Sequence, residues 1–185
     1  QTRCINLALQ GGGSHGAFTW GVLDCLLEDG RLEFGGISGA SAGAVNAVAV
    51  AHGLAIGARE GVDGRQLARD KLNSIWRSVM ATGTVSSLSG NLGNVLSFWS
   101  LLPDPGRMLG NALMQFTSPY SMNPLDLNPL RALLGREIDF DALSVARRQG
   151  PQVFVCATNV RPGRGEIFSG ARLSADAVMA SACLP

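Results

Sequence analysis

A serine between small residues is the first candidate for chemistry in this chain. Ser41 lies in Gly39-Ala-Ser-Ala-Gly43, a G-x-S-x-G pattern. The pattern is typical of a nucleophile elbow, a sharp turn between a strand and a helix that holds a serine hydroxyl clear of the backbone. The flanking residues must be small because the chain nearly touches itself there, and the Ala42 N–H can face a developing oxyanion. We therefore expect Ser41 to be a nucleophile.

The same pattern occurs a second time, at Gly12-Gly-Ser-His-Gly16. Because the chain has 24 glycines in 185 residues, chance alone supplies such matches, and the pattern by itself is weak. A plainer role is open to both serines, since each hydroxyl could cap the helix that follows it. Context favours Ser41 over Ser14, because an apolar run precedes Ser41 and an alanine-rich helical stretch follows it.

A serine hydroxyl needs a base to take its proton, and the chain has only two histidines, His15 and His52. His52 follows Ser41 on the same predicted helix, so at about 1.5 Å rise per residue it lies roughly 16 Å away. His15 lies in the glycine loop, where it could act as an auxiliary group or be hydrogen-bonded to the loop backbone. A Ser-His-Asp triad is therefore disfavoured, and a Ser-Asp dyad is the better hypothesis.

A glycine-rich loop, Gly11 to Gly13, precedes the first predicted helix. Its N–H groups are unobstructed by side chains, and together with the dipole of that helix they can bind an anion. If this loop and Ser41 follow neighbouring parallel strands, they converge at one edge of the sheet, as acyl transfer requires. The loop also matches the dinucleotide fingerprint G-x-G-x-x-G, but the acidic residue which that interpretation expects after the second strand is missing.

The elements that must position these groups alternate between strand and helix. We predict strands at Cys4–Leu9 and Phe34–Ile37, and helices at Ala17–Asp29 and Gly43–Ala58. This order indicates an α/β fold with a parallel sheet. Further elements are predicted in the rest of the chain: helices at Val62–Met80, Leu127–Leu134 and Ala175–Ala182, the last capped by Ser174, and a strand at Gln152–Asn159 with a hairpin partner at Glu166–Phe168.

Composition limits the class of protein. The chain of 185 residues is the size of one domain, with 46% hydrophobic residues and 16% charged residues, against about 25% charged in an average protein. Because the net charge is +1, no electrostatic attraction to nucleic acid is expected. The composition does not indicate an oligomeric state.

The four cysteines show no zinc-like spacing, and no signal peptide is visible. Each cysteine lies in or beside an apolar run, which predicts buried free thiols in a reducing compartment. We therefore expect a cytoplasmic protein, with transient contact to a membrane surface as a further hypothesis. We predict neither a metal nor a cofactor.

A segment of low charge spans residues 78–125. It has no charged residue between Ser78 and Pro103, and only Asp104 and Arg107 up to Leu125. Its glycines, asparagines and serines argue against a transmembrane helix. We predict a cap or lid, whose apolar residues either pack as ordinary core or form an acyl-chain pocket or a membrane-facing surface.

The glycine loop and the elbow together resemble the patatin-like phospholipase family. The loop, Gln10 to Gly16, is followed 23 residues after Gly16 by Gly39 of the elbow. Three later segments look like the bacterial branch of the family: Pro124–Leu130, Ala157–Arg161 and Ala180–Pro185. The resemblance covers nearly the whole chain. It implies a patatin-like three-layer α/β/α fold with a mainly parallel central sheet, related to the α/β-hydrolases.

The resemblance also implies an activity, the hydrolysis of lipid acyl esters by a Ser-Asp dyad through an acyl-enzyme. The substrate would be a lipid or another ester, as for a phospholipase A or an esterase. By position, Ser41 is the nucleophile and Ser14 donates from its backbone rather than attacking. The oxyanion hole implied is Gly11, Gly12, Gly13 and Ser14, with the Ala42 N–H.

The chain departs from the family pattern at two places. His15 stands where the family has arginine or lysine, so a titrating group replaces a fixed charge and neutral esters are favoured over phosphate headgroups. The family's dyad aspartate lies in Asp-Gly-Gly or Asp-Gly-Ala, whereas the only Asp-Gly pairs here, at Asp29 and Asp63, are followed by arginine. We therefore expect residues 1–185 to be a single domain truncated before its base, and impaired as a piece. The alternative is an inactive lipid- or protein-binding relic.

Overall fold

A computed structural model of the chain describes residues 2–88, 129–145 and 150–182. Strands and helices alternate in its first part, in agreement with the predicted order. The elements are β1 (Arg3–Leu9), α1 (Gly16–Asp29), β2 (Leu32–Gly39), α2 (Ala42–Glu60), α3 (Gly64–Leu88), α4 (Pro129–Glu137), α5 (Phe140–Val145), β3 (Gln152–Asn159), β4 (Arg164–Ser169) and α6 (Ala175–Ala182). Short 3₁₀ turns at Gly13–His15 and Gly170–Arg172 precede α1 and α6.

The four strands form one sheet in the order β1-β2-β3-β4. β1 and β2 are parallel, β2 and β3 are parallel, and β4 is antiparallel to β3. Leu9 pairs with Gly39, and Gly39 pairs with Val155. The loops that follow β1 and β2 therefore begin side by side at one edge of the sheet. The predicted α/β class and the mainly parallel sheet are confirmed.

α2 is the central helix of the core. Every residue from Ala42 to Gly53 is buried, and the helix packs against β1, β2, β3 and α3. Its small residues allow close packing, because a side chain at Gly53 would overlap the backbone of Ala68 in α3, and one at Gly57 would overlap Gly64. The helix that carries the elbow is therefore fixed in the interior.

Side chains alternate between a buried and an exposed face of the sheet. In β3, Val153 and Val155 are buried, while Phe154 and Cys156 between and after them are exposed. This alternation corrects one prediction. Among the residues described, the free thiols at positions 4, 25 and 156 are exposed rather than buried, because two lie on the exposed sheet face and one on the solvent side of α1. Cys183 lies outside the described residues.

α3 continues to Leu88, beyond the predicted end at Met80. The helix therefore includes the first part of the predicted lid, and the rest of that lid, residues 89–125, lies outside the described residues. The predicted helix at Leu127–Leu134 is shifted to Pro129–Glu137. None of the helices in the described ranges is long and apolar enough to cross a membrane.

Candidate active site

The turn between β2 and α2 has an unusual backbone. Ser41 has φ 53° and ψ −123°, and it is the only non-glycine residue with a positive φ in the part of the chain that the structure describes. Residues with a side chain rarely adopt this conformation, which costs free energy and is concentrated at functional sites. The sharp turn predicted for the elbow is thus present, and the serine itself carries the strained dihedral angles.

The glycines on both sides of Ser41 are required by close backbone contacts. A Cβ atom at Gly39 would lie against the carbonyl group of Gly43, and one at Gly43 would lie against the carbonyl group of Leu9. Neither contact has room for a methyl group, because the atoms met are backbone atoms that cannot rotate away. The close approach of the chain that the sequence predicts is therefore present at both glycines.

Neither serine of the two G-x-S-x-G patterns caps a helix. Ser41 occupies the N-cap position of α2, but its side chain makes no capping hydrogen bond. The N-cap of α1 is His15, also without a side-chain bond, so Ser14 does not take that role. Within the described ranges, no hydrogen bond uses the Ser41 hydroxyl, which is therefore available for other chemistry.

The glycine loop lies directly against the elbow. A Cβ atom placed on Gly11 would be 3.0 Å from Cβ of Ser41 and 3.0 Å from the carbonyl oxygen of Ala40. Gly12 has φ 143° and Gly13 has φ 58°, values that side-chain-bearing residues rarely adopt. The structure thus brings Gly11 and Ser41 together, as expected for loops that follow neighbouring parallel strands.

Several backbone N–H groups near Ser41 lack an acceptor. His15 N–H donates to the carbonyl oxygen of Gly12, and Gly16 N–H donates to those of Gly13 and Ser14. In contrast, no acceptor in the described part of the chain takes the N–H groups of Gly11, Gly12, Gly13, Ser14 or Ala42. These are the five donors that the sequence assigns to an oxyanion hole.

Neither histidine is paired with Ser41. Nδ1 of His15 is 3.0 Å from the carbonyl oxygen of Gly12, and because a carbonyl only accepts, this nitrogen must carry the hydrogen. His52 is buried on α2, and its Nδ1 has no partner among the described residues. Burial, and then the positive charge of Lys71, lowers the pKa of His52. The hydrogen-bonded loop residue is therefore the alternative that fits His15.

A buried polar network fixes the beginning of α1, and the sequence analysis missed it. Asn46, fully buried on α2, donates from Nδ2 to the carbonyl oxygen of Gly16 at 3.0 Å, and its Oδ1 accepts from Nε1 of Trp76 at 2.7 Å. A Cβ atom at Gly16 would lie 2.5 Å from the Trp76 ring. The network ties the glycine loop to α2 and α3. An asparagine inside an apolar helix was the available signal.

A second missed residue is Ser181 on α6. Its Oγ accepts a hydrogen bond from the backbone N–H of Ser41 at 2.8 Å and donates one to the carbonyl oxygen of Cys156 at 2.5 Å. Ser181 therefore connects the elbow to the neighbouring strand β3. A separation of 140 residues from Ser41 leaves no local pattern that could have revealed this contact.

A shallow cavity of about 250 Å³ lies beside the elbow. The described residues of its lining are Ala8–Gln10, Ser38–Ala40 and Cys156, and none of these carries a charged side chain. Such a lining suits an apolar group rather than an ionic one. A second cavity of about 250 Å³ lies at the opposite end of β3, between Gln152 and Leu173, away from Ser41.

Two solved structures are among those similar to this chain. The ExoU–SpcU heterodimeric complex from the type III secretion system of Pseudomonas aeruginosa aligns over 98% of this chain and 36% of that chain, with 21% identity and a TM-score of 0.44. VipD from Legionella pneumophila aligns over 96% of this chain and 41% of that chain, with 18% identity and a TM-score of 0.36.

This chain therefore spans less than half the length of either structural neighbour. No curated protein matches it. The family model described as patatin-like phospholipase matches residues 7–185, which is nearly the whole chain and includes both the glycine loop and the elbow. The chain belongs to the patatin-like phospholipase family.

Proposed function

We propose that this protein is a serine-dependent lipid acyl hydrolase with Ser41 as its nucleophile. The observation that carries the proposal is the elbow itself. Ser41 has a positive φ in a turn between strand and helix, and its hydroxyl is not used in any hydrogen bond of the described residues. Nucleophilic catalysis requires a serine hydroxyl that is free to react, and strained backbone angles are concentrated at functional sites.

In the proposed reaction, Oγ of Ser41 attacks the carbonyl carbon of the ester and forms a tetrahedral intermediate. The N–H groups of Gly11 to Ser14 and of Ala42 would hold the negative oxygen, which supports the assignment because they lack other acceptors in the described ranges. A base takes the Ser41 proton and passes it to the leaving alcohol. Water then hydrolyses the acyl-enzyme and releases the fatty acid.

The base would be an aspartate, as the family resemblance implies. No carboxylate in the described part of the chain forms a hydrogen bond with Ser41 or with His15. Because Nδ1 of His15 donates to Gly12 and no hydrogen bond joins its ring to Ser41 among the described residues, we assign His15 to the structure of the loop and not to proton transfer. The proposed acyl transfer needs no metal and no cofactor.

The proposed substrate is a neutral ester with an apolar acyl chain. The described lining of the cavity beside the elbow, which carries no charged side chain, supports this choice, and so does the presence of His15 in place of a fixed cation. Phe18, which is 76% exposed, and Val22, which is 45% exposed, follow the glycine loop on α1. Such exposed apolar side chains suit a transient contact with a membrane surface.

The competing proposal is an inactive lipid- or protein-binding relic of the same fold. It is favoured by one observation, the lack of any carboxylate bonded to Ser41 among the described residues. A serine nucleophile without its base loses several orders of magnitude in rate. The two proposals differ in whether Ser41 is reactive.

Labelling of the full protein with a fluorophosphonate probe separates them. We expect the wild type to be labelled at Ser41, and Ser41→Ala to lose labelling and hydrolysis of short p-nitrophenyl esters by roughly 10⁴-fold or more. Ser14→Ala is the matched control, because it removes the other serine of the same pattern and keeps its N–H group. Full activity in Ser41→Ala would refute the nucleophile, and an unlabelled wild type would support the relic.

A further inference from the structure

Ser181 is the side chain that contacts the backbone of the elbow. Within the described residues, the N–H of Ser41 donates to Oγ of Ser181 at 2.8 Å, and this is the one side-chain hydrogen bond to the Ser41 backbone. The Ser181 hydroxyl in turn donates to the carbonyl oxygen of Cys156 at 2.5 Å. Because a hydroxyl has a single hydrogen, the bond to Cys156 directs its lone pairs towards Ser41.

The other hydrogen bonds of the elbow fix different groups. Ala40 N–H donates to the carbonyl oxygen of Leu9 at 3.3 Å, and Gly43 N–H donates to that of Ala40 at 2.9 Å. The carbonyl oxygen of Ser41 accepts the N–H groups of residues 44 and 45 at 2.9 and 3.2 Å. Among the described residues, the N–H of Ser41 donates to Ser181 and to no other acceptor. The strained φ angle of Ser41 is the rotation between the peptide plane that contains this N–H and the rest of the residue.

Ser181 is itself held rigidly from both sides. α6 buries Ala177, Val178 and Met179 against the core, and Ser174 caps it by accepting the Ala177 N–H at 3.1 Å. Cys156, the acceptor of the Ser181 hydroxyl, lies on β3 directly after Val155, which pairs with Gly39 at the end of β2. The hydroxyl thus joins three elements that meet at the elbow.

We propose that Ser181 is a positioning residue, which holds Ser41 in its strained conformation and so aligns the Ser41 hydroxyl with the N–H groups of the glycine loop. Strained backbone conformations persist only where the surrounding contacts over-determine them, and Ser181 supplies such a contact. Its hydroxyl bonds to the backbone of Ser41, not to the reacting oxygen. The effect on rate rests on the proposed function, whereas the effect on the backbone of Ser41 does not.

The test compares Ser181→Ala with Ser181→Thr, which keeps the hydroxyl, and with Ser174→Ala. Ser174→Ala is the matched control, because it removes a hydroxyl hydrogen bond from the same helix at about 1 kcal/mol without touching the elbow. We expect Ser181→Ala to lower kcat and the fluorophosphonate labelling rate by about 100-fold at an almost unchanged KM. Ser181→Thr should recover most of the loss, and Ser174→Ala should label at the wild-type rate.

Hydrogen exchange of the Ser41 amide, followed by NMR, gives a second readout that needs no catalysis. We expect faster exchange of this amide in Ser181→Ala than in Ser174→Ala. If the wild type is not labelled but this difference in exchange is found, the hydrolase proposal fails and the positioning role stands. If Ser181→Ala is labelled at the same rate as Ser174→Ala, Ser181 is not a positioning residue. If the wild type is not labelled, the same conclusion follows from equal exchange rates of the Ser41 amide in the two variants.

Discussion

The two G-x-S-x-G segments share a pattern and differ in which residue carries the unfavourable backbone angle. In Gly12 to Gly16, the positive φ values belong to Gly12 and Gly13, and Ser14 lies in an ordinary 3₁₀ turn. In Gly39 to Gly43, the positive φ belongs to Ser41. The pattern therefore identifies tight turns, and the position of the strained residue identifies which turn presents its serine.

Packing explains the difference between the two segments. In the elbow, Gly39 and Gly43 are pressed against backbone atoms on both sides, so Ser41 between them must take the strained angles. In the loop, the three atoms nearest to a Cβ atom on Gly12 belong to the His15 side chain, at 3.4 Å or more, and the tight contact is that of Gly16, against the Trp76 ring. Gly12 and Gly13 adopt the positive φ angles of that turn, which glycine can do without steric cost.

The largest expected effect is that of breaking the elbow by Gly43→Ala. The added methyl group would overlap the carbonyl group of Leu9, so the strand and the helix could not both keep their places. We expect a loss of about 3 kcal/mol in the free energy of unfolding, measured by urea denaturation. Gly135→Ala on α4 is the control, because nothing lies within 4 Å of the added atom and the change should stabilise the helix by roughly 0.5–1 kcal/mol. Equal stability of the two variants would contradict the packing explanation.

Asn46→Ala should have the next largest effect, by releasing the loop while leaving the elbow in place. It removes the buried hydrogen bonds that Asn46 makes with Nε1 of Trp76 and with the carbonyl oxygen of Gly16, which costs about 2 kcal/mol. Asn73→Ala is the control, because it removes only an exposed bond to Arg77 and should change stability by less than about 0.5 kcal/mol. Thermal unfolding of both variants measures the difference. A shift in Asn46→Ala no larger than in Asn73→Ala would contradict the anchoring role.

The smallest expected effect is the pH dependence of stability that comes from a histidine. His15 lies in the glycine loop, whereas His52 is buried on α2. Burial and the charge of Lys71 lower the pKa of His52, while Asp139 and Glu137 oppose this shift. An unfolded histidine protonates near pH 6.5, so the unfolded state binds more protons below that pH. Stability should therefore fall as the pH drops below about 6.5, by at most about 1.4 kcal/mol per pH unit, and His52 should contribute nothing above it.

Urea denaturation of the wild type and of His52→Gln at pH 7.5, 6.5 and 5.5 measures this contribution. We expect a shallower pH dependence in His52→Gln between pH 6.5 and 5.5, whatever the variant costs at pH 7.5. An identical slope in both proteins would assign the pH dependence to other groups.

Local patterns were sufficient to predict the strands, the helices around the site and the close approach at Gly39 and Gly43. Strand alternation and helix periodicity are properties of neighbouring residues, and the boundaries of β3 and α6 agree with their predicted ranges. Sequence motifs also sufficed for the family, although its bacterial branch and the extent of the domain stay predictions. The oxyanion donors remain an assignment by position.

The remaining features depend on contacts between distant parts of the chain. Ser181 and Ser41 are 140 residues apart, and Asn46 meets Trp76 across two packed helices. The thiols at positions 4 and 156 are exposed because they lie on the face of the sheet that the described helices do not cover. Hydrophobic neighbours in the sequence do not reveal which face of the sheet is covered. These contacts become visible only once the fold has assembled.

The backbone angle of Ser41 also bears on the history of the protein. A side-chain-bearing residue at φ 53° costs roughly 1–3 kcal/mol of folding free energy, most of which glycine would recover at the same position. Mutational drift in a lineage that had lost its chemistry would therefore tend to replace this serine by glycine, because the replacement stabilises the fold. That a serine still occupies position 41 is expected where its hydroxyl remains under selection.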